Sequence, residues 1–577
     1  MRTPGGDRAI APDDAAGTLL RSLRAVVGRR HVLTGAGATR RHAIGYRVGS
    51  GAVLAVVRPG TLVEQWRVLR ECTFARVIVI MQAANTGLTG GSTPFGAYDR
   101  PVVIVNTLRI RGILHIAGGA QVVCLPGATL HDLEQSLAPI GREPHSVIGS
   151  SCLGASVLGG VCNNSGGALI RRGPAYTELA LFARIDAGGD LRLVNHLGID
   201  LGDDPEAVLG KLDRGDVPEA DVEPLGARLA SDRNYGAHVR DVESATPARF
   251  NADPSRLFEA SGCGGKVALF AARLETFPRD EHVATFYIGS NDPADLATVR
   301  RDMLGGFEHL PVLAEYIHRT AFDIAETYGK DIYLAIRHLG TSRLPLLFGL
   351  KNRIDGVAGR MGAGRDLSDR MLQWLSARTG RHLPPRLYGF RDRFEHHLIL
   401  QAADGGIGET RAYLAKRYPS LCGDAFECTA PEASGALRHR FAVAGAAVRY
   451  RAIHAAEVED IVALDIALRR NDADWFETLP PDVAEAVIHP LYYGHFFCNV
   501  FHQDYIIRKG RGPHALEARM LEELDRRGAE YPAEHNVGHL YAAKAPLAAH
   551  YERLDPCNVF NPGIGRTARA ATIPTCP

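Results

Sequence analysis

Two histidines and a Glu-His pair near the C-terminal end are the side chains best suited to chemistry. His495 and His502 lie seven residues apart inside Tyr492–Asp504, and Glu534-His535 follow inside Tyr531-Pro532-Ala533-Glu534-His535-Asn536-Val537-Gly538-His539. Imidazole and carboxylate ligands suit zinc, manganese or iron. An imidazole is also the side chain best placed to take a proton near neutral pH. A chain with 23 histidines brings some together by chance, so spacing alone leaves metal binding, proton transfer and a structural role open. Arg391, just ahead of Glu395-His396-His397, offers a planar fork for a substrate carboxylate. Composition alone favours it as one more member of the basic stretch around it.

A second kind of chemistry is written in main chain. After the apolar run Val77-Ile78-Val79-Ile80 comes Met81-Gln82-Ala83-Ala84-Asn85-Thr86-Gly87-Leu88-Thr89-Gly90-Gly91-Ser92. A strand that ends in a loop of small residues presents backbone N–H groups to a diphosphate with no side chain in the way. A loop of the same character runs from Gly149 to Gly167. Either loop alone reads as an ordinary turn; together they favour one large dinucleotide held from two sides. Two other nucleotide patterns fail. Gly262-Cys263-Gly264-Gly265-Lys266-Val267 is too short for a P-loop and has no Ser or Thr after the lysine. Gly406-Ile407-Gly408 meets Arg411 where a dinucleotide fingerprint needs its third glycine.

The elements that must position these residues read as an α+β chain. Its 577 residues exceed one core, so two or three domains are expected. Val53–Val57, Val77–Ile80, Val102–Val105 and Gln121–Leu125 read as strands. Leu62–Phe74 has helical spacing at Leu62, Trp66, Leu69 and Cys72. Phe286–Gly289 and His397–Gln401 read as strands of a second sheet. Between them the interval Arg337–Arg393 reads as loop-rich. It carries twelve Lys or Arg against four Asp, in a chain whose net charge is only +1. That interval also holds Met371, Leu372, Trp374 and Leu375, so it is either a solvated face over a local core or a surface that docks on anionic lipid.

Ten cysteines without a Cys-x-x-Cys pair predict thiols rather than a disulfide framework. The near-zero net charge and missing motif argue against nucleic acid. The start of the chain lacks the apolar core of a signal peptide. The longest uncharged stretch, Pro144–Ile170, is too rich in Gly, Ser and Asn for a membrane span. The expectation is a cytoplasmic chain without transmembrane helices.

Gln82–Thr89, Gly141–Cys152, Tyr531–His539 and Asn558–Gly565 resemble the quinone-dependent D-lactate dehydrogenases, respiratory flavoenzymes with a vanillyl-alcohol-oxidase-type flavin domain. The resemblance runs from about Leu54 to Gly565. It implies a two-part FAD-binding domain of the PCMH type over residues 1–275, completed by 527–577. It implies a cap domain, with an antiparallel sheet and helices, over 276–317, 395–432 and 457–526. Basic membrane-contact segments would fill 318–394 and 433–456. Ala83, Ala84, Asn85, Thr86, Gly87, Gly91 and Ser92 would hold the FAD diphosphate. Gly149, Ser156 and Gly166 would contact the cofactor from the second loop, and Leu269 from a later strand. The first loop has no histidine, so FAD is expected without a covalent link.

The wider family of FAD-linked 2-hydroxyacid dehydrogenases carries two histidines seven apart, then a Glu-His pair. By that resemblance His495, His502 and Glu534 would hold a divalent metal and His535 would be the base. Here Phe497-Cys498-Asn499 replaces the family's Gly-Asp-Gly, and Asn536 replaces the glycine after Glu-His. The implied activity is oxidation of D-lactate to pyruvate. Arg391 would hold the carboxylate, and electrons would pass through FAD to a membrane quinone. The protein would sit peripherally on the cytoplasmic face of the inner membrane, against anionic lipid, with no nucleic acid partner. Two alternatives stand beside this: a soluble FAD dehydrogenase of another D-2-hydroxy acid, and a non-enzymatic basic protein that binds membranes or nucleic acid.

Overall fold

The computed structural model describes residues 12–146, 154–339 and 367–571. Gly149 and the arginines 343, 353, 360 and 365 lie outside the described residues. The chain begins with a small sheet, β1 (Val32–Leu33), β2 (Ala55–Val57), β3 (Ile78–Gln82) and β4 (Val102–Asn106), ordered β1-β2-β4-β3. β2 and β3 both run parallel to β4. The helix Leu62–Phe74 makes the crossover from β2. Thr61 caps it by accepting the Glu64 amide at 3.0 Å. Leu62, Trp66, Leu69 and Cys72 are buried, as their spacing predicts. Because β3 and β4 are parallel, the first glycine-rich loop lies at the carboxyl end of β3, where open α/β sheets take ligands.

β5 (Ile113–Ile116), β6 (Gln121–Cys124), β8 (Ala180–Ile185), β9 (Leu191–Asn195) and β10 (Ala268–Glu275) form an antiparallel sheet ordered β5-β6-β10-β8-β9. A two-stranded ribbon, β7 (Arg142–Glu143) with β11 (Phe277–Pro278), lies beside it. The C-terminal stretch returns to this half. Val79 donates to Val559 at 3.0 Å and accepts from Asn561 at 3.0 Å. Lys266, the lysine of the failed P-loop pattern, is buried against Asn558 at 2.6 Å and Asp555 at 3.8 Å. Its task is to fasten that returning segment.

The other half is one seven-stranded antiparallel sheet. Its strands are β12 (Val283–Ser290), β13 (Leu313–His318), β14 (His396–Ala403), β15 (Gly423–Glu427), β16 (Val458–Ala467), β17 (Val487–His495) and β18 (Val500–Arg508), ordered β15-β12-β14-β13-β17-β18-β16. Strand alternation splits its side chains between two cores. Phe286, Ile288, Tyr316 and Leu398 pack with Leu296, Val299 and Trp475 on one face. Tyr287, Ile317 and Ile399 pack with Phe322, Leu387, Val443 and Ala446 on the other.

That second face carries the helices Arg319–Tyr328, Lys330–Leu339, Leu367–Ser376, Pro385–Arg393 and Ala430–Ile453. Of the described parts of the basic interval, 337–339, 367–376 and 385–393 are helical and 377–384 is loop, so it carries more helix than the loop-rich reading expects. Leu383, Leu387, Tyr388 and Phe390 reach a shared core, and tertiary packing supplies what weak local propensity does not. Seven cysteines among the described residues, Cys72, Cys124, Cys162, Cys263, Cys422, Cys428 and Cys498, are free thiols. Among the described residues no helix is long and apolar enough to cross a membrane.

Candidate active site

The two histidines sit on a β-hairpin. β17 ends at His495, Phe496–Cys498 make one turn of 3-10 helix, Asn499 takes the left-handed conformation at φ 51°, and β18 begins at Val500. Val500 faces His495 and Tyr493 faces His502 across the hairpin. Tyr493 and His495 are two apart, so strand alternation puts both imidazoles on one face. Their ring centres are 5.3 Å apart.

The neighbouring strands complete a row. Glu315 on β13 is in register with His495, and Asp465 on β16 is in register with His502. Four adjacent strands thus present Glu315, His495, His502 and Asp465 side by side. His495 Nδ1 is 2.5 Å from Glu315 and His502 Nδ1 is 3.3 Å from Asp465. Both Nε2 atoms turn to Glu534, at 3.1 and 3.7 Å. One nitrogen from each ring and one Glu534 oxygen all lie within 4.8 Å of one another. A carboxylate behind each imidazole sets its tautomer and aims the other nitrogen at an ion. Three N/O ligands with an open position are what a catalytic metal site keeps. This donor set fits a divalent ion.

The charges are balanced tightly. Burial works to lower His495, but Glu315 and Glu534 outweigh it and lift the imidazole to about 10. Burial works to raise Glu534, but His495 and Arg249 outweigh it and hold the carboxyl well below its usual range. Arg440 sits 3.0 Å from the second oxygen of Glu315. Arg249, almost fully buried, donates to Glu534 at 2.9 Å, to the Leu169 carbonyl at 3.0 Å and to the Gly167 carbonyl.

The segment that carries Glu534 and His535 also joins the two glycine-rich loops. Asp465 Oδ2 accepts the Glu534 amide at 2.7 Å and the His535 amide at 3.1 Å. Toward the first loop, Thr89 donates to the Asn536 carbonyl at 2.7 Å, and His539 N–H donates to the Thr89 carbonyl at 3.0 Å. A Cβ on Gly538 would fall 2.1 Å from that same carbonyl, so only glycine fits there. Toward the second loop, a Cβ on Gly166 would lie 2.8 Å from Glu534 and 3.2 Å from Arg249. Asn561 ties Gly91 (2.8 Å) to Gly264 (2.9 Å), and Gly264 N–H donates to the Cys162 carbonyl at 2.9 Å.

The loops themselves suit a dinucleotide. Asn85 (φ 57°) and Gly90 (φ 75°) turn the first loop through left-handed conformations. Its frame is held by Asn106 on the Ala83 carbonyl at 2.9 Å, Gln82 on the Ser92 carbonyl at 2.8 Å and Ser92 on the Asn85 side chain at 3.1 Å. Among the described residues nothing stands within 4 Å of where a Cβ on Gly87 or Gly154 would fall. Ser156 caps the helix Val157–Cys162 by accepting the Gly159 amide at 3.1 Å. Leu269 packs with Ala155, Val157 and Val161 in one core beneath that loop. Beside it, His145 and Ser146 are buried with side-chain polar atoms that have no hydrogen-bond partner among the described residues. Such atoms are costly unless a ligand meets them, and the residues present fit FAD.

Arg391 is placed differently from its expected role. Its fork closes on Asp323 at 2.6 and 2.7 Å, with Asp392 at 2.9 Å. The guanidiniums bonded to the histidine row are those of Arg249 and Arg440. Glu315, Arg249 and Arg440 lie far from the histidines in sequence and carry no motif. Asp465, a lone acid in the apolar run Ile461–Ala467, was the one signal available.

The architecture is that of an FAD-binding flavoprotein. An FAD-binding-domain profile matches residues 53–191, and a profile described as D-lactate dehydrogenase, membrane binding matches 285–572. The fold resembles p-cresol methylhydroxylase (TM-score 0.56, 11% identity, 97% of this chain and 98% of that one). It also resembles 4-ethylphenol oxidase from Gulosibacter chungangensis (TM-score 0.57, 10% identity, 97% and 98%).

The chain belongs to the quinone-dependent D-lactate dehydrogenase family. It is 55% identical to the Escherichia coli K12 member, over 95% of this chain and 96% of that one. It is 54% identical to the Haemophilus influenzae member (96% and 98%) and 43% identical to that of Corynebacterium glutamicum (95% and 96%).

Proposed function

We propose that this chain oxidises D-lactate to pyruvate and passes the electrons to a membrane quinone, as a peripheral protein on the cytoplasmic face of the inner membrane. The observation that supports it most is the placement of His535: one short segment holds it beside the histidine row and against both flavin loops. FAD supplies the two-electron acceptor for the substrate α-hydrogen. His535 takes the hydroxyl proton. His495, His502 and Glu534 would hold a divalent ion, which would steady negative charge on the substrate oxygen. Anaerobic D-lactate is expected to bleach the flavin absorption of the purified protein. Bleaching by a different D-2-hydroxy acid, with D-lactate inert, would select the soluble-dehydrogenase alternative. A colourless protein would select the non-enzymatic one.

For the substrate carboxylate we favour Arg47 over Arg391, whose fork is closed on Asp323. Arg47 is exposed and has no hydrogen-bond or ion-pair partner among the described residues. Burial raises the Tyr493 and Tyr541 phenols and the Asp504 carboxyl, and the nearby positive charge of Arg47 opposes that rise at all three. Tyr493 and Asp504 belong to the hairpin, and Tyr541 follows the Glu534 segment by two residues. Arg47→Ala is expected to raise KM for D-lactate by about 10- to 100-fold, the loss of one charged contact. Arg391→Ala should leave KM within about 2-fold. Steady-state kinetics of both variants check this; the reverse pattern returns the role to Arg391.

Exposed apolar side chains support a membrane contact at the helix Leu367–Ser376. Met371, Trp374 and Leu375 are exposed there, and Arg378 stacks on Trp374 at 3.6 Å. Apolar side chains that enter the interface beside basic ones suit anionic lipid, each basic group adding about 1 kcal/mol. Arg370→Gln/Arg378→Gln should weaken flotation with anionic vesicles and flatten its salt dependence. Unchanged flotation would remove this face from the contact.

A further inference from the structure

A pair of thiols lies under the second glycine-rich loop, apart from the histidine row. Cys162 ends the helix Val157–Cys162, and Cys263 sits in Gly262-Cys263-Gly264-Gly265-Lys266-Val267, the segment too short for a P-loop. Two main-chain bonds lay these segments side by side. Gly262 N–H donates to the Val161 carbonyl at 3.0 Å, and Gly264 N–H donates to the Cys162 carbonyl at 2.9 Å. Both side chains pack in one core, with Ala155, Val157, Val161 and Leu269. There the two thiols share a hydrogen bond. Two cysteines held side by side with facing side chains are what a disulfide requires, and here both are free thiols.

Their surroundings make the two sulfurs unequal. Gly262, Gly264 and Gly265 take left-handed conformations at φ 71°, 57° and 83°. The turn they make aims the N–H groups of Gly265 and Val267 at the Cys263 sulfur. Several amides converging on one atom form an anion-binding concavity. The hydrogen bond from Cys162 lowers the Cys263 thiol, and with those amides it outweighs burial, which works to raise it. The same bond and burial push the Cys162 thiol well above its usual range. Elsewhere burial acts without such a partner, and Cys72 and Cys124 are pushed up to about 12. Cys162 is partly exposed, whereas Cys263 is fully buried. A sulfur readily ionised beside one that keeps its proton suits a redox pair, in which the first reacts and the second resolves.

We infer that Cys162 and Cys263 are a redox-active dithiol that a small hydroperoxide oxidises to a disulfide. The Cys263 sulfur attacks one peroxide oxygen and the O–O bond breaks. The other oxygen leaves and takes up a proton from solvent, as water or an alcohol, and Cys263 becomes a sulfenic acid. The Cys162 sulfur then attacks the Cys263 sulfur and the S–O bond breaks. Hydroxide leaves and joins the Cys162 proton as water. The thiol pair loses two electrons in all, and the peroxide gains them. The new bond ties the helix Val157–Cys162, capped by Ser156 of the flavin loop, to the segment that enters β10.

The test treats the flavin-loaded full chain with a slight excess of hydrogen peroxide, then denatures it in maleimide for peptide mapping. The parent should lose about two reactive thiols per chain and give a linked peptide pair carrying Cys162 and Cys263, and dithiothreitol should restore both thiols. Cys162→Ser should form no such link and should accumulate a dimedone-reactive sulfenic acid at Cys263. Cys263→Ser should give neither product. Flavin content at the parent level reports that both variants are folded, and the parent's own peptide map decides the pairing whether or not they are. No link in the parent, a link through another cysteine, or Cys263 oxidised past the sulfenic acid with Cys162 still free would overturn the pair. Dimedone labelling of Cys162 in Cys263→Ser as fast as that of Cys263 in Cys162→Ser would overturn the division of roles.

Discussion

His535→Ala is expected to lower kcat for D-lactate by about 10²- to 10⁴-fold, the usual worth of a positioned proton acceptor. The side chain suits that task by position. Its amide is anchored on Asp465, while its ring is 34% exposed and stands 3.9 Å from the same carboxylate. It also lines a small cavity with Asn251, Gly262 and Asn536. The ring is therefore held near a negative charge yet open to a substrate. The variant should keep its flavin, because the contacts that fasten the loops belong to Thr89, Asn536, Gly538 and Arg249 rather than to this ring. Stopped-flow flavin reduction with D-lactate separates the two effects. A variant that reduces its flavin at the parent rate would show that another group takes the proton.

The second large effect concerns the row on the sheet. His495→Ala and His502→Ala should each abolish stoichiometric binding of a divalent ion. Glu315→Gln, which leaves both ring ligands in place, should weaken binding by about 10- to 100-fold, the usual effect of losing a partner behind a metal-bound imidazole. Metal analysis per flavin and titration of chelator-treated protein with manganese check this without reference to turnover. Chelator treatment should also slow D-lactate oxidation, and added metal should restore it. Parent protein that binds no ion and ignores chelator would leave the row as an ion-pair network in which a proton on His495 serves the two flanking carboxylates. His495→Ala would then act on stability alone. Glu315→Gln has a second readout: it leaves the buried Arg440 without its only ion-pair partner among the described residues, so some loss of melting temperature accompanies the metal effect.

Much of the fold was legible because it is encoded locally. Apolar runs bounded by glycine and proline announced β2, β3 and β4, and the spacing from Leu62 to Cys72 announced the crossover helix. The two glycine-rich loops stood out because main-chain binding leaves a compositional trace. The spacing of His495 and His502, and the Glu534-His535 pair, were visible for the same reason: residues close in sequence make a pattern.

Tertiary structure decided the rest. No periodicity relates Glu315 to His495, Asp465 to His502, or Arg249 to Glu534; their distances are set by strand order and register across β13, β17, β18 and β16. The same holds for Arg391. Local sequence placed it near a histidine run, but packing of the helix Pro385–Arg393 against Arg319–Tyr328 closed its fork on Asp323. Side-chain chemistry is a property of the residue, and so sequence specified which groups were available. Which charge faces which depends on pairings between strands far apart in the chain, and only the folded sheet fixes those.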